Sequence, residues 1–421
     1  MKLLWLTLAD PDPPTNGQFV YSAGLIEATL SAGGEIEVVA FDRPEAQHRD
    51  GYRSERIAWS LAAHRPRPRW LGLAARTPFL AFRTMTSDLR HRASAAIVRA
   101  DWDAVVFDSL ALGWALPIVL RIYRNATARP RIVYIAHNHE TEIARIFARD
   151  ETRALHRLVK RIDALRVARL ERTLVDSADL VTANTPEDCG RFDRMRAAGE
   201  TMFLPPGYGG RRTDVRKIDT ALPRRAVIVG SFDWPPKRES LEAFLAVADG
   251  QFAAARIELL VVGNAEAGYL DRLRRTTTAT RFTGRVDDIR PYLRDASLAL
   301  VPDRLGGFKL KTLDYVFNRL PILAIANAVP GLSLRHGESI LLADDHPALA
   351  RLVLDAIDNV DLLDRIQDKA YSACESSFEW PATGARLLRR IEQTDPRAPV
   401  RSSLHGFSRN RPRGEQADAR A

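Results

Sequence analysis

Two glycines and two lysines stand directly before a helix-length segment in the second half of the chain. Residues 306–321 read GGFKLKTLDYVFNRLP, with Gly306, Gly307, Lys309 and Lys311 ahead of the apolar-periodic part. Glycine lets a ligand approach the backbone closely, and the first N–H groups of a helix lack intrahelical partners and carry partial positive charge. Together with two ammonium groups, these features suit a diphosphate. The alternative interpretation, a glycine-containing loop with solvated lysines, stays open.

Other phosphate and metal motifs are absent from the sequence. No G-x-x-x-x-G-K-[ST] loop occurs, and the first loop, PPTNGQF, has the single glycine Gly17 where a dinucleotide-binding fold has G-x-G-x-x-G. Cys189 and Cys374 are the only cysteines, which excludes a four-cysteine zinc site. The D-x-D triplets at 10–12 and 101–103 flank predicted strands and lack converging oxygen ligands. We therefore expect no metal and no dinucleotide cofactor.

Two sets of short apolar strands alternate with helix-length segments. The predicted strands lie at 2–8, 36–41, 102–108, 131–137 and 179–184 in the first set, and at 226–232, 257–263, 280–284, 297–302 and 321–327 in the second. Strands rich in Val, Ile and Leu with helices between them predict parallel sheets covered on both faces. We predict an α/β fold of two tandem Rossmann-like, doubly wound domains that face each other across a cleft, where ligands of open sheets bind. The predicted boundaries are 1–205, 206–394 and, for a disordered basic tail, 395–421.

The composition is that of a basic globular protein without a membrane span. The chain has 421 residues, 46% hydrophobic and 27% charged, with a formal net charge of +9. No uncharged apolar run approaches the roughly 20 residues that span a bilayer, and the short N-terminal apolar run lacks a signal-peptide cleavage site. We therefore expect a cytoplasmic protein. The positive charge favours anionic partners, but the sequence has no nucleic-acid recognition motif, so nucleic acid is not expected as a partner.

Arginines concentrate in one segment of the first half. Residues 65–92 contain seven arginines against one aspartate, interleaved with Trp70, Phe79 and Phe82. One interpretation is an amphipathic surface that binds an anionic membrane, which predicts a peripheral location on its inner face and a lipid-linked acceptor. The other interpretation is a helix pair whose apolar side is core and whose arginines are solvated. Both stay open.

Several stretches, in order along the chain, resemble the GT-B glycosyltransferases of the large retaining family four, glycosyl transferases group 1. GGFKLKTLDYVFNRLPILA (306–324) resembles their nucleotide-binding segment, in a branch with a glycine-rich G-x-x-[KR]-x-K-x-L-[ED] pattern. VIVGSFDWPPKRESLEAFL (227–245) and FTGRVDDIRPYLRDASLALVPDRLGG (282–307) resemble the start of their C-terminal domain and the segment leading to the donor site. IVYIAHNHETEIARI (132–146) resembles the HN-x-E loop of the acceptor domain. The likeness covers about residues 1 to 390.

The resemblance implies a nucleotide-sugar site in the C-terminal domain. Asp314 matches a glutamate that hydrogen-bonds the ribose hydroxyls, although Asp is one methylene shorter, and Gly306 stands where the family has a first glutamate. Ser231 replaces a family arginine in the loop after the first strand of this domain, and Lys237 falls near the family lysine. The backbone around the glycines and the neighbouring lysines are implied to hold the pyrophosphate. The implied donor-binding residues are Gly306, Gly307, Phe308, Lys309, Lys311, Asp314 and Lys237.

The resemblance places the acceptor in the N-terminal domain. His137, at the end of a predicted strand, matches a histidine near the transferred sugar and is the implied catalytic residue. Asn138 and Glu140 are implied to orient the loop or contact the acceptor, and His139 is a weaker candidate. Gly17 matches a glycine that lets backbone approach donor or acceptor. The alternative for each of these residues is an ordinary structural role, as a strand-end histidine or a loop residue.

The implied function is the metal-independent transfer of a hexose, with retention, from a nucleotide sugar to a hydroxyl of a carbohydrate or lipid-linked acceptor. The resemblance also implies a role in cell-surface polysaccharide or glycoconjugate synthesis. The nucleotide sugar is a substrate, so no cofactor is expected. Two alternatives remain. A sugar-nucleotide epimerase shares the tandem architecture, and a non-catalytic scaffold is suggested by the altered donor residues Ser231, Gly306 and Asp314.

Overall fold

The computed structural model describes residues 1–43, 56–197, 199, 201–304 and 307–396. Within these ranges the chain forms two α/β units, one around a seven-stranded sheet and one around a six-stranded sheet. All described strand pairs are parallel. The predicted fold class is therefore confirmed. The predicted donor residue Gly306 and the tail from residue 397 onward lie outside the described residues.

The first sheet has β1 near its centre and later strands on either side of it. In spatial order its strands are β3 (Ile57–Ala62), β2 (Glu35–Phe41), β1 (Lys2–Ala9), β4 (Ala104–Asp108), β5 (Arg131–Ala136), β6 (Leu180–Ala183) and β7 (Met202–Phe203). Its helices are α1 (Gly17–Ser31), α2 (Phe79–Thr84), α3 (Ser87–Arg99), α4 (Leu116–Ile122), α5 (Glu140–Asp150), α6 (Ala154–Ser177) and α7 (Pro186–Met195), with 3₁₀ turns at Arg69–Gly72 and Leu110–Ala115.

The second sheet repeats this order. Its strands are β10 (Thr280–Gly284), β9 (Glu258–Val262), β8 (Arg225–Val229), β11 (Leu298–Val301), β12 (Ile322–Ile325) and β13 (Leu341–Ala343). Its helices are α8 (Pro235–Ala254), α9 (Ala267–Arg274), α10 (Arg290–Arg294), α11 (Leu310–Phe317), α12 (His346–Ala356) and α13 (Val360–Cys374), followed by the terminal helix α14 (Trp380–Glu392).

The central strands are apolar at consecutive positions because both faces of each sheet are covered. In β1, Leu4 and Leu6 belong to the core on one face of the first sheet, whereas Leu3 and Trp5 belong to the core on the other. Successive side chains of a strand point to opposite faces, so a sheet packed on both sides needs apolar residues at every position. This explains why the central strands were predictable as continuous apolar runs.

Three strands were not predicted from the sequence: β3, β7 and β13. All three lie at sheet edges. β7 has two residues and β13 has three, and β3 has exposed and half-buried positions among its six. Edge strands are covered less completely and are shorter, so their apolar signal is weak.

The terminal helix α14 follows the second unit in sequence but packs on the first. Leu387, Leu388 and Ile391 belong to a core cluster of the first sheet. Gly384 lies against Ala28 of α1, where a Cβ would overlap the backbone of that helix. The terminal helix therefore ties the second unit back to the first. In the described part of the chain, every helix is too short or too polar to cross a membrane.

Candidate functional site

The loop that contains Gly307 and precedes α11, here called the glycine loop, faces the HN-x-E loop (residues 137–140) across the gap between the two units. The Gly307 N–H donates to Asn138 Oδ1 over 3.1 Å. A Cβ added to Gly307 would lie 2.8 Å from Asn138 Oδ1 and 3.1 Å from the carbonyl oxygen of His137. Asn184 Nδ2 donates to that same carbonyl over 3.0 Å. The structure therefore brings together Gly307, His137 and Asn138, so closely that a Cβ at position 307 would press on the Asn138 side chain and the His137 carbonyl.

His137 is held by a buried carboxylate. Its Nε2 lies 2.5 Å from Asp108 Oδ1, and the Asp108 side chain is fully buried. Trp5 Nε1 donates to the second oxygen of Asp108 over 2.9 Å. Although burial raises the pKa of Asp108, the positive imidazolium form of His137 and the hydrogen bonds to the carboxylate outweigh it and lower that pKa. The ring of Tyr21 meets the imidazole edge-on, with ring centroids 5.2 Å apart, so the ring orientation is fixed on two sides.

Asp108 was not among the sequence-predicted site residues. It ends β4, which pairs with β5 in the sheet, and His137 directly follows β5. The carboxyl ends of adjacent parallel strands lie at the same edge, so an acidic residue at one end and a histidine at the next indicate a pair. Both strands were predicted, but their adjacency was not.

Three lysines surround one buried aspartate at the start of α11. Lys311 Nζ lies 2.5 Å from Asp303 Oδ2, and these side chains are only 10% and 7% exposed. Burial, with the like charges of Lys311 and Lys237, lowers the pKa of Lys309 to about 8 against the opposing effect of Asp303. Burial and then Lys311 likewise lower the pKa of Lys237. Asp303, which follows β11, was also not predicted. Because one carboxylate faces three ammonium groups, this cluster has the electrostatics of an anion site.

Asp314 lies one turn further along α11, beside the linker between the units. Burial raises the pKa of its carboxyl to about 7, although a hydrogen bond from Tyr208 opposes the shift. The Tyr208 ring stacks on Phe317 with centroids 4.7 Å apart, and its hydroxyl accepts from Asn318 Nδ2 over 3.3 Å. Burial and the neighbouring Asp314 raise the pKa of Tyr208. Asp314 is therefore placed by an aromatic residue from outside the predicted motif.

Phe308, Ser231 and Gly17 differ in what their atoms contact. The ring of Phe308 packs against the core of the second unit, 5.8 Å from the ring of Phe378, so only its backbone is available at the glycine loop. Ser231, at the position of a family arginine, donates through its hydroxyl to Asp233 over 2.7 Å. Gly17, at the start of α1, faces the start of α11, where a Cβ would lie 3.6 Å from Leu310 Cδ1. That distance is ordinary van der Waals contact.

Glu140 lies at the edge of a large cavity beside the HN-x-E loop. Burial and the negative charge of Glu171 raise its pKa to about 7, and Asn138 Nδ2 donates to it over 3.4 Å. Glu171 accepts from the N–H groups of Glu140 and Thr141, at 2.9 Å each, which fixes the first turn of α5. His139 caps that helix through Nδ1, which accepts from Glu142 N over 3.2 Å. The cavity has a volume of about 1160 Å³ and includes Arg285 of the second unit.

Among the residues that the structure describes, no cluster of three or more His, Cys, Asp or Glu side chains is arranged to hold a metal ion. Lys309 and Lys311, at the start of α11, instead lie next to a gap whose opposite wall carries His137. The arrangement is suited to binding a ligand with a diphosphate on one side and a reacting hydroxyl on the other.

The family model described as "Glycosyl transferases group 1" matches residues 223–359, which include β8 to α12 and the lysine cluster. This match covers less than half of the chain. A search of curated proteins found no match. The branch with the glycine-rich motif stays a prediction.

Solved structures with a similar fold cover nearly the whole chain. Sucrose-phosphate synthase from Thermosynechococcus elongatus is 18% identical, with a TM-score of 0.69 over 93% of this chain and 98% of that one. Anabaena HepE in complex with UDP and glucose is 14% identical, with a TM-score of 0.62 over 93% and 100%. WaaG, a glycosyltransferase involved in lipopolysaccharide biosynthesis, is 14% identical, with a TM-score of 0.63 over 91% and 99%. At these identities the likeness shows the fold, which is GT-B.

Proposed function

We propose that the protein is a glycosyltransferase that moves a sugar from a nucleotide-sugar donor to a hydroxyl of a carbohydrate acceptor. The observation that carries the proposal is the opposition of the glycine loop and lysine cluster to His137 across the cleft. The group 1 family match over the second unit supports it. So does the fold shared with HepE, whose structures contain UDP, glucose and UDP-glucose.

In this proposal the second unit binds the donor. The amide groups at the start of α11 and the ammonium groups of Lys309 and Lys237 contact the diphosphate, where negative charge grows as the sugar leaves. Asp314 accepts from the ribose hydroxyls in its ionised form. Because the Gly307 N–H donates to Asn138 Oδ1, a donor phosphate that takes this N–H displaces the Asn138 amide oxygen.

The first unit then presents the acceptor. Asp108 holds the His137 ring at the mouth of the cleft, where it hydrogen-bonds the transferred sugar. We propose transfer with retention, in which the leaving phosphate accepts the proton of the attacking hydroxyl, so that no protein nucleophile forms a bond to the sugar. The transferred group is a hexose, no metal takes part, and the product belongs to a cell-surface polysaccharide or glycoconjugate. The likeness to WaaG, involved in lipopolysaccharide biosynthesis, supports that role by analogy.

Calorimetric titration with UDP- and GDP-sugars tests the donor site. Removing one charged contact to a phosphate costs about 1.5–3 kcal/mol, so Lys309→Gln is expected to weaken donor binding roughly ten- to a hundredfold. Lys369→Gln, an exposed change of the same kind on α13, is the control and leaves affinity unchanged. Equal affinity of wild type and Lys309→Gln refutes the donor site. Absence of any nucleotide-sugar binding favours the scaffold, and conversion of donor without acceptor to an isomeric sugar nucleotide favours the epimerase.

We also propose that the protein is cytoplasmic and binds an anionic membrane as a peripheral protein. Residues 65–92 contribute Trp70, Leu71 and Leu73, which are 70%, 41% and 53% exposed. Arg166 of α6 donates to the carbonyl oxygens of Gly72 and Leu73 over 3.1 and 2.8 Å, which joins this segment to α6.

An apolar stripe on α6 supports the membrane proposal. Its exposed residues, spaced three or four apart on one helix face, are Leu155, Leu158, Ile162 and Leu165. Arg161 and Arg169 are exposed on the same helix, and Arg153 is exposed at its N-cap. Apolar side chains at helical spacing among arginines match the pattern of helices that lie on anionic lipid.

Co-sedimentation with vesicles tests this surface. The wild type is expected to bind vesicles containing phosphatidylglycerol and not those of phosphatidylcholine alone, and the double variant Leu155→Ser/Leu165→Ser is expected to lose most of that binding. Val215→Ser, which removes a side chain that is 87% exposed in the second unit, is the matched control. Undiminished binding of the double variant contradicts the assignment of this surface.

A further inference from the structure

The cavity beside the HN-x-E loop is lined by cations. Its volume is about 1160 Å³, and its basic lining residues are Arg43, Arg83, Arg285 and His64. Among the described lining residues Glu140 is the single carboxylate, and burial with the charge of Glu171 raises its pKa to about 7. The positive side chains of the cavity therefore outnumber its negative ones, in a place separate from the lysine cluster of the donor side.

Arg83 is a cation in the wall of this cavity whose charge no described side chain matches. Its Nε is buried and has no hydrogen-bond partner within the described ranges, and the Arg83 side chain forms no ion pair among the described residues. Arg43, by contrast, donates to the carbonyl oxygens of Asp10 and Pro13 and to the Thr15 hydroxyl. A buried polar group without a partner is costly and calls for an explanation. The Arg83 guanidinium therefore brings a charge that no described side chain neutralises to the wall of the cavity.

The backbone around Arg83 is firmly held. Its carbonyl oxygen accepts from Arg67 N over 3.1 Å. The hydroxyl of the adjacent Thr84 donates to the carbonyl oxygen of Ala111 over 2.6 Å and accepts from Trp114 Nε1 over 3.0 Å. α2 is thus anchored to the 3₁₀ turn at 110–115. The backbone that carries the Arg83 side chain is therefore fixed beside the cavity.

The cavity also adjoins the catalytic side of the cleft. Ser109, which lines it, directly follows Asp108, the partner of His137. Glu140, three residues after His137, lines it as well. A molecule bound in the cavity therefore lies next to the ends of β4 and β5.

We propose that this cavity binds an acceptor sugar carrying an anionic group, a phosphate or a carboxylate, which the Arg83 guanidinium contacts. The planar guanidinium matches two oxygens of either group. The identification of the bound molecule as the acceptor rests on the proposed transferase function, whereas the anion site itself does not. The apolar lining, with Leu80, Phe19 and Phe41, packs on the sugar or its lipid-linked carrier.

Calorimetry with glucose 6-phosphate, glucuronate and glucose, without donor, tests the site on the full chain. We expect the wild type to bind at least one of the two anionic sugars at least tenfold more tightly than glucose, and Arg83→Gln to lose at least about tenfold in that affinity. Arg90→Gln, an exposed charge change on α3 away from the cavity, is the matched control and binds like the wild type. The double variant Lys237→Gln/Lys309→Gln keeps this binding, because its lysines belong to the donor side.

Each outcome decides the proposal. Undiminished binding by Arg83→Gln, equal binding of glucose and the anionic sugars, or loss of binding only in the lysine variant overturns it. If Arg83→Gln unfolds, as judged by circular dichroism, Arg83→Lys and Arg285→Gln are used, and unchanged affinity in both overturns it. The readout needs no turnover. A protein that binds anionic sugar through Arg83 but transfers none refutes the transferase proposal and leaves the anion site standing.

Discussion

The two walls of the cleft differ in the balance of their charged side chains. On the first unit the carboxylate of Asp108 meets the imidazole of His137, and each is further fixed by an aromatic neighbour. On the second unit Asp303 faces Lys311 while Lys309 and Lys237 add positive charge. On the first unit the positive and negative side chains balance each other, and we call this the matched wall. On the second unit the positive side chains outnumber the negative ones, and we call this the surplus wall. A matched pair fixes geometry, whereas a surplus attracts a charged ligand. The comparison indicates which wall orients and which wall binds the anion.

The largest expected effect comes from breaking the matched wall. Asp108→Ala leaves His137 and the Trp5 N–H without their buried partner. Removing one member of a buried charged pair costs about 3–5 kcal/mol, so the free energy of unfolding is expected to fall by that amount in chemical denaturation. Asp150→Ala, at an exposed ion pair with Arg149, is the control and changes stability little. A change in Asp108→Ala as small as in the control means that the pair does not hold the wall.

A smaller effect is expected where the two walls touch. Gly307→Ala introduces a Cβ 2.8 Å from Asn138 Oδ1 and separates the loops. Overpacking of this kind costs about 1–3 kcal/mol, so kcat/KM is expected to fall roughly five- to a hundredfold while the fold survives. Gly250→Ala, where nothing lies within 4 Å of the added Cβ, is the control and keeps full activity. Wild-type kcat/KM in Gly307→Ala contradicts the close approach during turnover.

The smallest expected effect is a pH dependence of donor affinity that arises from titratable groups on the surplus wall. Asp314, with a pKa of about 7, accepts more strongly from the ribose hydroxyls when it is ionised, so donor affinity is expected to rise as pH increases through 7. Lys309, with a pKa of about 8, loses its charge above that pH, so donor affinity falls on the alkaline side. Each limb changes affinity by at most about tenfold per pH unit.

Single variants show which residue causes each limb of the pH profile of donor affinity. Asp314→Asn is expected to remove the acid limb and Lys309→Gln the alkaline limb, measured by donor titration between pH 6 and 9. Asp288→Asn, an exposed carboxylate in an ion pair with Arg290, is the control and keeps both limbs. A pH profile that is the same in all three variants as in the wild type refutes the assignment.

The predicted architecture is confirmed because its signal is local. β1, β4, β5 and β11 are buried on both faces of their sheets, and such burial requires apolar residues at consecutive positions. These continuous apolar runs can be recognised in the sequence alone. The short edge strands β3, β7 and β13 have a weaker apolar pattern in the sequence and were not predicted. The boundaries and roles proposed for the site residues remain predictions, to be tested by the variants above.

The sequence by itself determined the two-sheet plan, the glycine and lysines before α11, and the histidine at the end of β5, because each depends on neighbours within a few positions. Only the tertiary structure decided that Asp108 pairs with His137, 29 positions away, and that Gly307 meets Asn138, 169 positions away. It also decided that the Nε of Arg83, beside a cavity, is buried without a hydrogen-bond partner among the described residues. Such relations depend on which strands are adjacent and how the two units meet, and long-range packing fixes these.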